Sequence, residues 1–122
     1  MAIPLLICDD SNMARKQVTR SLPEGWDVDI TYATNGLEGL AAIREGKGEM
    51  VFLDLTMPEM DGYSVLETVF NERLNAMIIV ISGDIQPEAR DRVMKLGAID
   101  FIKKPVNKDK LGAVLNEYGL MG

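Results

Sequence analysis

The stretch Met50-Val51-Phe52-Leu53-Asp54-Leu55-Thr56-Met57-Pro58 constrains this chain more than any other. Apolar residues without alternation run into one carboxylate, and a proline follows shortly after. An unbroken apolar run marks a strand buried on both faces. Proline cannot donate to a ladder, so the strand ends before Pro58. Asp54 is therefore expected at the carboxyl end of a central strand, the edge of an open α/β sheet where ligands bind. Taken alone, Asp54 reads equally well as a cap for the loop before the next helix.

The rest of the chain repeats the pattern. Ile3–Cys8 is an apolar strand ending at Asp9-Asp10, and Ser11 or Asn12 can cap the helix after it, with Ala14, Val18 and Leu22 inward. Val28, Ile30 and Tyr32 alternate with polar or small residues, which places the second strand at a sheet edge. Asn35 and Glu38 resemble a capping pair for a helix whose apolar side is Leu37, Leu40 and Ala41. Asp61-Gly62 opens a third helix with Leu66, Val69 and Phe70 inward. Met77–Ile81 is another buried strand, ending in Ser82-Gly83-Asp84. Pro87 suits the first turn of a fourth helix, with Ala89, Val93 and Leu96 at helical spacing. Ile99–Ile102 is a short fifth strand leading to Lys103-Lys104-Pro105, and Asn107 caps a last helix carrying Leu111, Val114, Leu115 and Tyr118. Strands and helices alternate with short connections. The right-handed crossover rule then implies a five-stranded parallel sheet with helices on both faces, an α/β doubly wound fold.

Composition narrows the function. A chain of 122 residues is expected to form one domain over 1–122, with a core at about 3–118. Cys8 is the single cysteine, so no internal disulfide forms, and its apolar surroundings predict an inert buried thiol. No run approaches a membrane span, no leader pattern opens the chain, and the composition fits a cytoplasmic protein. The absence of histidine excludes imidazole bases and imidazole metal ligands. A net charge of −6 argues against direct nucleic-acid binding by this domain. Residues 86–110 nevertheless carry +3, leaving −9 elsewhere; a solvated mixed-charge face accounts for this, and a partner-docking face is the sharper alternative. The methionines read mostly as core filler or loop contacts, with Met57 and Met60, near the acid, as exposed gates to it the lesser alternative.

Four strand ends carry polar groups: Asp9-Asp10, Asp54, Ser82 and Lys104. In a parallel sheet these ends share one rim. Three carboxylates and one ammonium, buried close together, raise the pKa of the acids unless a cation joins them. All-oxygen ligation favours Mg²⁺ or Mn²⁺. A carboxylate beside such a cation, an ammonium and a hydroxyl is equipped to accept a phosphoryl group.

Those pieces, with Met57-Pro58, Asp61-Gly62, Phe101 and Lys104-Pro105 in order, resemble a response regulator receiver domain of bacterial two-component systems, of the kind found in chemotaxis regulators. The resemblance implies the flavodoxin-like (βα)5 fold with strand order 2-1-3-4-5, an order for which a chemotaxis receiver is a standard example. It further implies that Asp54 is the phosphoacceptor and that Asp10, Asp54 and the Thr56 backbone carbonyl bind Mg²⁺, with Asp9 acting largely through water. Lys104 would contact the phosphoryl group across a cis bond to Pro105. Ser82 and Phe101 would form the switch, and Thr56 and Asp84 would tune phosphate lifetime. Position 101 is often tyrosine in the family, and phenylalanine can turn inward but cannot make the tyrosine hydrogen bond. The implied partners are a histidine kinase or phosphotransfer protein and an output partner or fused effector domain at residues 86–110, with a second copy of the domain as another occupant. Gly119 and Gly122 read as the start of a linker, with a stand-alone receiver as the alternative. The expected role is regulatory rather than enzymatic. Two rivals are weaker. An aspartyl-phosphate phosphatase of the haloacid dehalogenase type needs a second acid where Thr56 stands. A non-phosphorylated scaffold of receiver fold would not need the complete site.

Overall fold

The computed structural model describes residues 2–83 and 86–120. Five strands, β1 (Ile3–Cys8), β2 (Val28–Ala33), β3 (Met50–Leu53), β4 (Met77–Ser82) and β5 (Asp100–Lys103), alternate with α1 (Asn12–Ser21), α2 (Gly36–Arg44), α3 (Gly62–Glu72), α4 (Pro87–Lys95) and α5 (Lys108–Glu117). All strand pairs are parallel, in the order β2-β1-β3-β4-β5. This is the flavodoxin-like order. β3 is buried at every position, as its unbroken apolar run requires, and β2 is half-exposed at the edge.

The sheet separates two apolar layers. One face packs Leu5, Ile7, Phe52, Ile79 and Ile81 against Val18 of α1 and Leu111 and Leu115 of α5. The other packs Leu6, Cys8, Val51, Leu53 and Val80 against Leu40, Leu66 and Val93 of α2, α3 and α4. Burying a large aliphatic side chain contributes about 1.5–3 kcal/mol, so these layers hold the strand ends in register.

The predicted caps all form. Ser11 Oγ accepts from Ala14 N at 3.2 Å, Asn35 Oδ1 from Glu38 N at 2.8 Å, Asp61 Oδ1 from Ser64 N at 2.9 Å, and Asn107 Oδ1 from Lys110 N at 2.8 Å. Each satisfies one of the amides that a helix start leaves unpaired.

The helix faces required correction in three places. On α2, Leu37 is exposed and Ala41 faces solvent, while Gly36, Gly39, Leu40, Ala42 and Ile43 are buried. The helix lies so close to β1 that a Cβ on Gly39 would sit 2.7 Å from Cys8 Sγ. The contacting face therefore sets Gly36 and Gly39 beside Leu40 and Ile43 and leaves Leu37 outside. Phe70, expected inward, is 58% exposed at the end of α3, where it packs beside Gly97 instead. Tyr118 lies past the end of α5 and stays exposed, its hydroxyl 3.3 Å from Asp100 Oδ2.

Candidate functional site

Asp54 follows directly on β3, where its amide donates to Cys8 O at 2.9 Å and continues the ladder to β1. The chain then loops back so tightly that Gly62, at the start of α3, donates to Leu55 O at 3.0 Å. A Cβ there would lie 2.8 Å from Leu55 Cα and collide with the Asp54 carbonyl. Only glycine permits this approach, and it holds the Asp54 carboxylate at the rim.

Asp9 and Asp54 are both buried, Asp10 is exposed, and one oxygen from each lies within 4.8 Å of the others. Lys104 reaches into the cluster from the end of β5. Its amide donates to Ser82 O at 2.8 Å, and its peptide bond to Pro105 is cis. Its Nζ is 2.9 Å from Asp9 Oδ2 and 3.4 Å from Asp54 Oδ1. Lys103 points outward, so of the two adjacent lysines Lys104 is the one at the site.

The electrostatics follow from burial. Desolvation, and next the charge of Asp9, raise the Asp54 pKa, against the opposing pull of Lys104. Burial also disfavours the charged form of Lys104, but the Asp9 hydrogen bond and the charges of Asp54 and Asp9 outweigh it, and its pKa is raised. The ammonium therefore persists, and the three carboxylates still exceed it by two charges. An all-oxygen donor set with that imbalance suits a hard divalent cation.

Ser82 is buried at the end of β4. Phe101 is half-buried on β5 and packs against the layer under α3 and α4. Thr56 is exposed two residues after Asp54, and Asp84 falls outside the described residues. Of the two readings of Met57, the structure bears out core filler rather than an exposed gate. Met57 is buried, with Sδ 3.6 Å from Cys8 Sγ, because the loop after Asp54 folds it under α2, and Met60 is half-buried. Met13, in the first turn of α1, is the methionine that is open to solvent near Lys104 and Pro105. Burial pushes the Cys8 thiol up to about 12, so it remains protonated and inert.

One neighbour of the site escaped the sequence pattern. Arg15 Nη1 donates to the backbone carbonyl of Asp9 at 2.6 Å. Side chains on a helix lean toward its N-terminus. An arginine four residues past the Ser11 cap could thus have been expected to reach back over the acidic loop.

The fold and this rim define a class. The response regulator receiver domain family matches residues 5–116, and the chain belongs to it. It is a receiver domain of two-component response regulators, similar to the chemotaxis regulators. Chemotaxis protein CheY of Treponema pallidum is 34% identical over 110 residues, 88% of this chain and 76% of that protein. The protein-glutamate methylesterase/protein-glutamine glutaminase 3 of Geobacter sulfurreducens is 39% identical over 104 residues, 84% of this chain but 28% of that protein. The chain spans 26–33% of the length of the first curated relatives it matches. Among solved structures, a chain of the CheX–CheY–BeF3–Mg²⁺ complex from Borrelia burgdorferi superimposes with a TM-score of 0.85 at 30% identity, covering 94% of this chain and 87% of that one.

Proposed function

We propose that Asp54 accepts a phosphoryl group from a phosphohistidine of a histidine kinase or phosphotransfer protein, and that the modified domain controls an output partner or fused effector. The observation that carries this is the Lys104 ammonium bridging Asp9 and Asp54 at the end of the central strand. An Asp54 carboxylate oxygen attacks phosphorus, the donor P–N bond breaks, and the leaving imidazole takes up a proton. Lys104 helps keep Asp54 ionised and neutralises the incoming phosphoryl oxygens. Ser82, placed at the neighbouring strand end, donates its hydroxyl to the same oxygens. Asp10, Asp54 and the Thr56 carbonyl would hold Mg²⁺ (or Mn²⁺), with Asp9 acting through water, and the ion would supply further charge neutralisation. Thr56 and Asp84, two residues beyond the acceptor and the switch hydroxyl, tune how long the phosphoryl group survives.

The domain is regulatory and performs a single transfer to itself. Its output leaves through residues 86–110, toward a partner, a fused domain or a second copy, in the cytoplasm. Asp9, Asp10 and Lys104 have no structural need to converge with Asp54 in a bare scaffold, and Thr56 cannot serve as the proton-donating acid of a phosphatase. With Mg²⁺ and acetyl phosphate, the intact mass is expected to rise by one phosphoryl group, in an acid-stable, base-labile form. Asp54→Asn is expected to abolish the gain. A stable label persisting in that variant moves the acceptor elsewhere.

A further inference from the structure

Asp9 is held at every polar atom it has. Its amide donates to Ala33 O at 3.0 Å, Oδ1 accepts from Ser11 N at 2.9 Å, and Oδ2 accepts from Lys104 at 2.9 Å. Its carbonyl accepts from Arg15 at 2.6 Å. Asp10 differs: it is exposed, and its carboxylate joins the cluster from the first residue beyond that carbonyl. The Asp9–Asp10 peptide plane therefore aims the Asp10 side chain, and Arg15 is the side chain that grips the plane. Arg15 is half-buried, and its second arm lies 3.4 Å from Asn12 Oδ1. A charge-assisted bond to a carbonyl is stronger than a neutral one and holds its geometry accordingly.

We infer that Arg15 is a positioning residue for the cation site: by clamping the Asp9 carbonyl it sets the Asp10 carboxylate where a divalent ion needs it. The inference rests on the metal-site assignment of the proposed function. Its sign is distinctive. Arg15 is a cation beside an acidic cluster, so charge alone makes its removal strengthen divalent binding. Loss of positioning makes removal weaken it. Outer partners of metal ligands typically govern affinity by about 10- to 100-fold.

The test is a Mg²⁺ titration of the intact chain, followed by backbone amide NMR, on the wild type and four variants. Arg15→Ala and Arg15→Met, the second keeping the aliphatic stem, are expected to weaken Mg²⁺ binding about tenfold. Gln17→Ala is the control for a general loosening of α1, since Gln17 Nε2 ties the same helix to Val106 O at 2.9 Å without touching Asp9. Its affinity is expected to stay within about twofold of wild type, below the outer-partner range. Unchanged or tighter binding in both Arg15 variants, while Asp10→Ala weakens it, overturns the positioning role alone. Equal weakening by Gln17→Ala also overturns it. Unchanged binding in Asp10→Ala overturns the metal assignment beneath it.

Discussion

The rim and the α4–β5–α5 face are built to opposite standards. At the rim, Asp9, Asp54 and Ser82 are buried, and each polar atom of Asp9 has a partner at 3.0 Å or closer. On the face, the side-chain ties are longer and their basic partners stand in solvent, although Asp100 itself is buried and accepts from Phe101 N at 2.7 Å. Arg90 is 3.6 Å from Asp100 with its side chain 58% exposed, and the Tyr118 hydroxyl reaches the same acid at 3.3 Å. Arg92 lies 4.0 Å above the Tyr63 ring, joining α4 to α3. Exposed ion pairs contribute about 0–1 kcal/mol, and an exposed cation–π contact a similar amount. A buried group stripped of its partner costs several-fold more. The rim thus resists rearrangement, whereas the face can change shape for the free energy that one new group at the rim supplies. Phe101 is half-buried on β5 and packs on the core, and the proposed switch would pass through it.

Paired glycine substitutions break the comparison most forcefully. In Gly62→Ala the new methyl meets backbone that cannot retreat, and overpacking of this kind costs about 1–3 kcal/mol or more. In Gly112→Ala on α5 the methyl meets nothing within 4 Å. There the better helix propensity of alanine should stabilise by about 0.8–1 kcal/mol. Denaturant unfolding is expected to give opposite signs for one chemical change, and matching signs would mean that rim and face are equally tolerant.

The next effect concerns transmission. Fluoroberyllate mimics the phosphoryl group on Asp54, and amide shifts are expected to spread from Asp54 and Ser82 to residues 86–108. Phe101→Ala should shrink the distant shifts and leave the near ones. A partner that prefers one state tenfold requires only about 1.4 kcal/mol of coupling, which fits a face with weak ties. Shifts confined to the rim would mean that the two regions are uncoupled.

The smallest effect is a pH dependence of the rim itself. The Asp54 carboxyl titrates higher in the folded than in the unfolded chain, through burial first and Asp9 second. The folded state therefore binds the proton more tightly, and stability rises as pH falls through the folded pKa toward the ordinary carboxyl range near 4. Lys104 has linkage of the same sign in a far more alkaline window: its raised pKa contributes stability that is lost only as pH climbs past it. Metal-free protein is expected to melt at a higher temperature on mild acidification, and Asp54→Asn should flatten that rise. An unchanged rise in the variant assigns it to other groups.

Much of this was legible in the chain. The apolar runs of β1, β3 and β4 announce strands with no exposed face, and Ser11, Asn35, Asp61 and Asn107 announce helix starts, because caps and periodicity are local properties. The placing of Asp9, Asp10, Asp54, Ser82 and Lys104 on one rim follows from the parallel topology, since every strand then ends on the same side. Alternation along β5 only set Lys103 and Lys104 on opposite sides; the resemblance to the receiver motif, with its lysine directly before proline, selected Lys104.

Tertiary structure alone decided which surfaces touch. Hydrophobicity nominated Leu37 and Ala41 on α2, but the close approach of that helix to β1 selected Gly39, since the distance between two backbones is not written in either one. Phe70 pointed outward and Met57 inward for the same reason: the room available depends on elements remote in sequence. The Lys104–Asp9 contact joins residues 95 positions apart, and the Arg15 grip on the Asp9 carbonyl leaves no periodic trace at all. Local sequence sets what each segment can form and which groups it carries. The packed core sets the distances between those groups, and on those distances the chemistry of the rim depends.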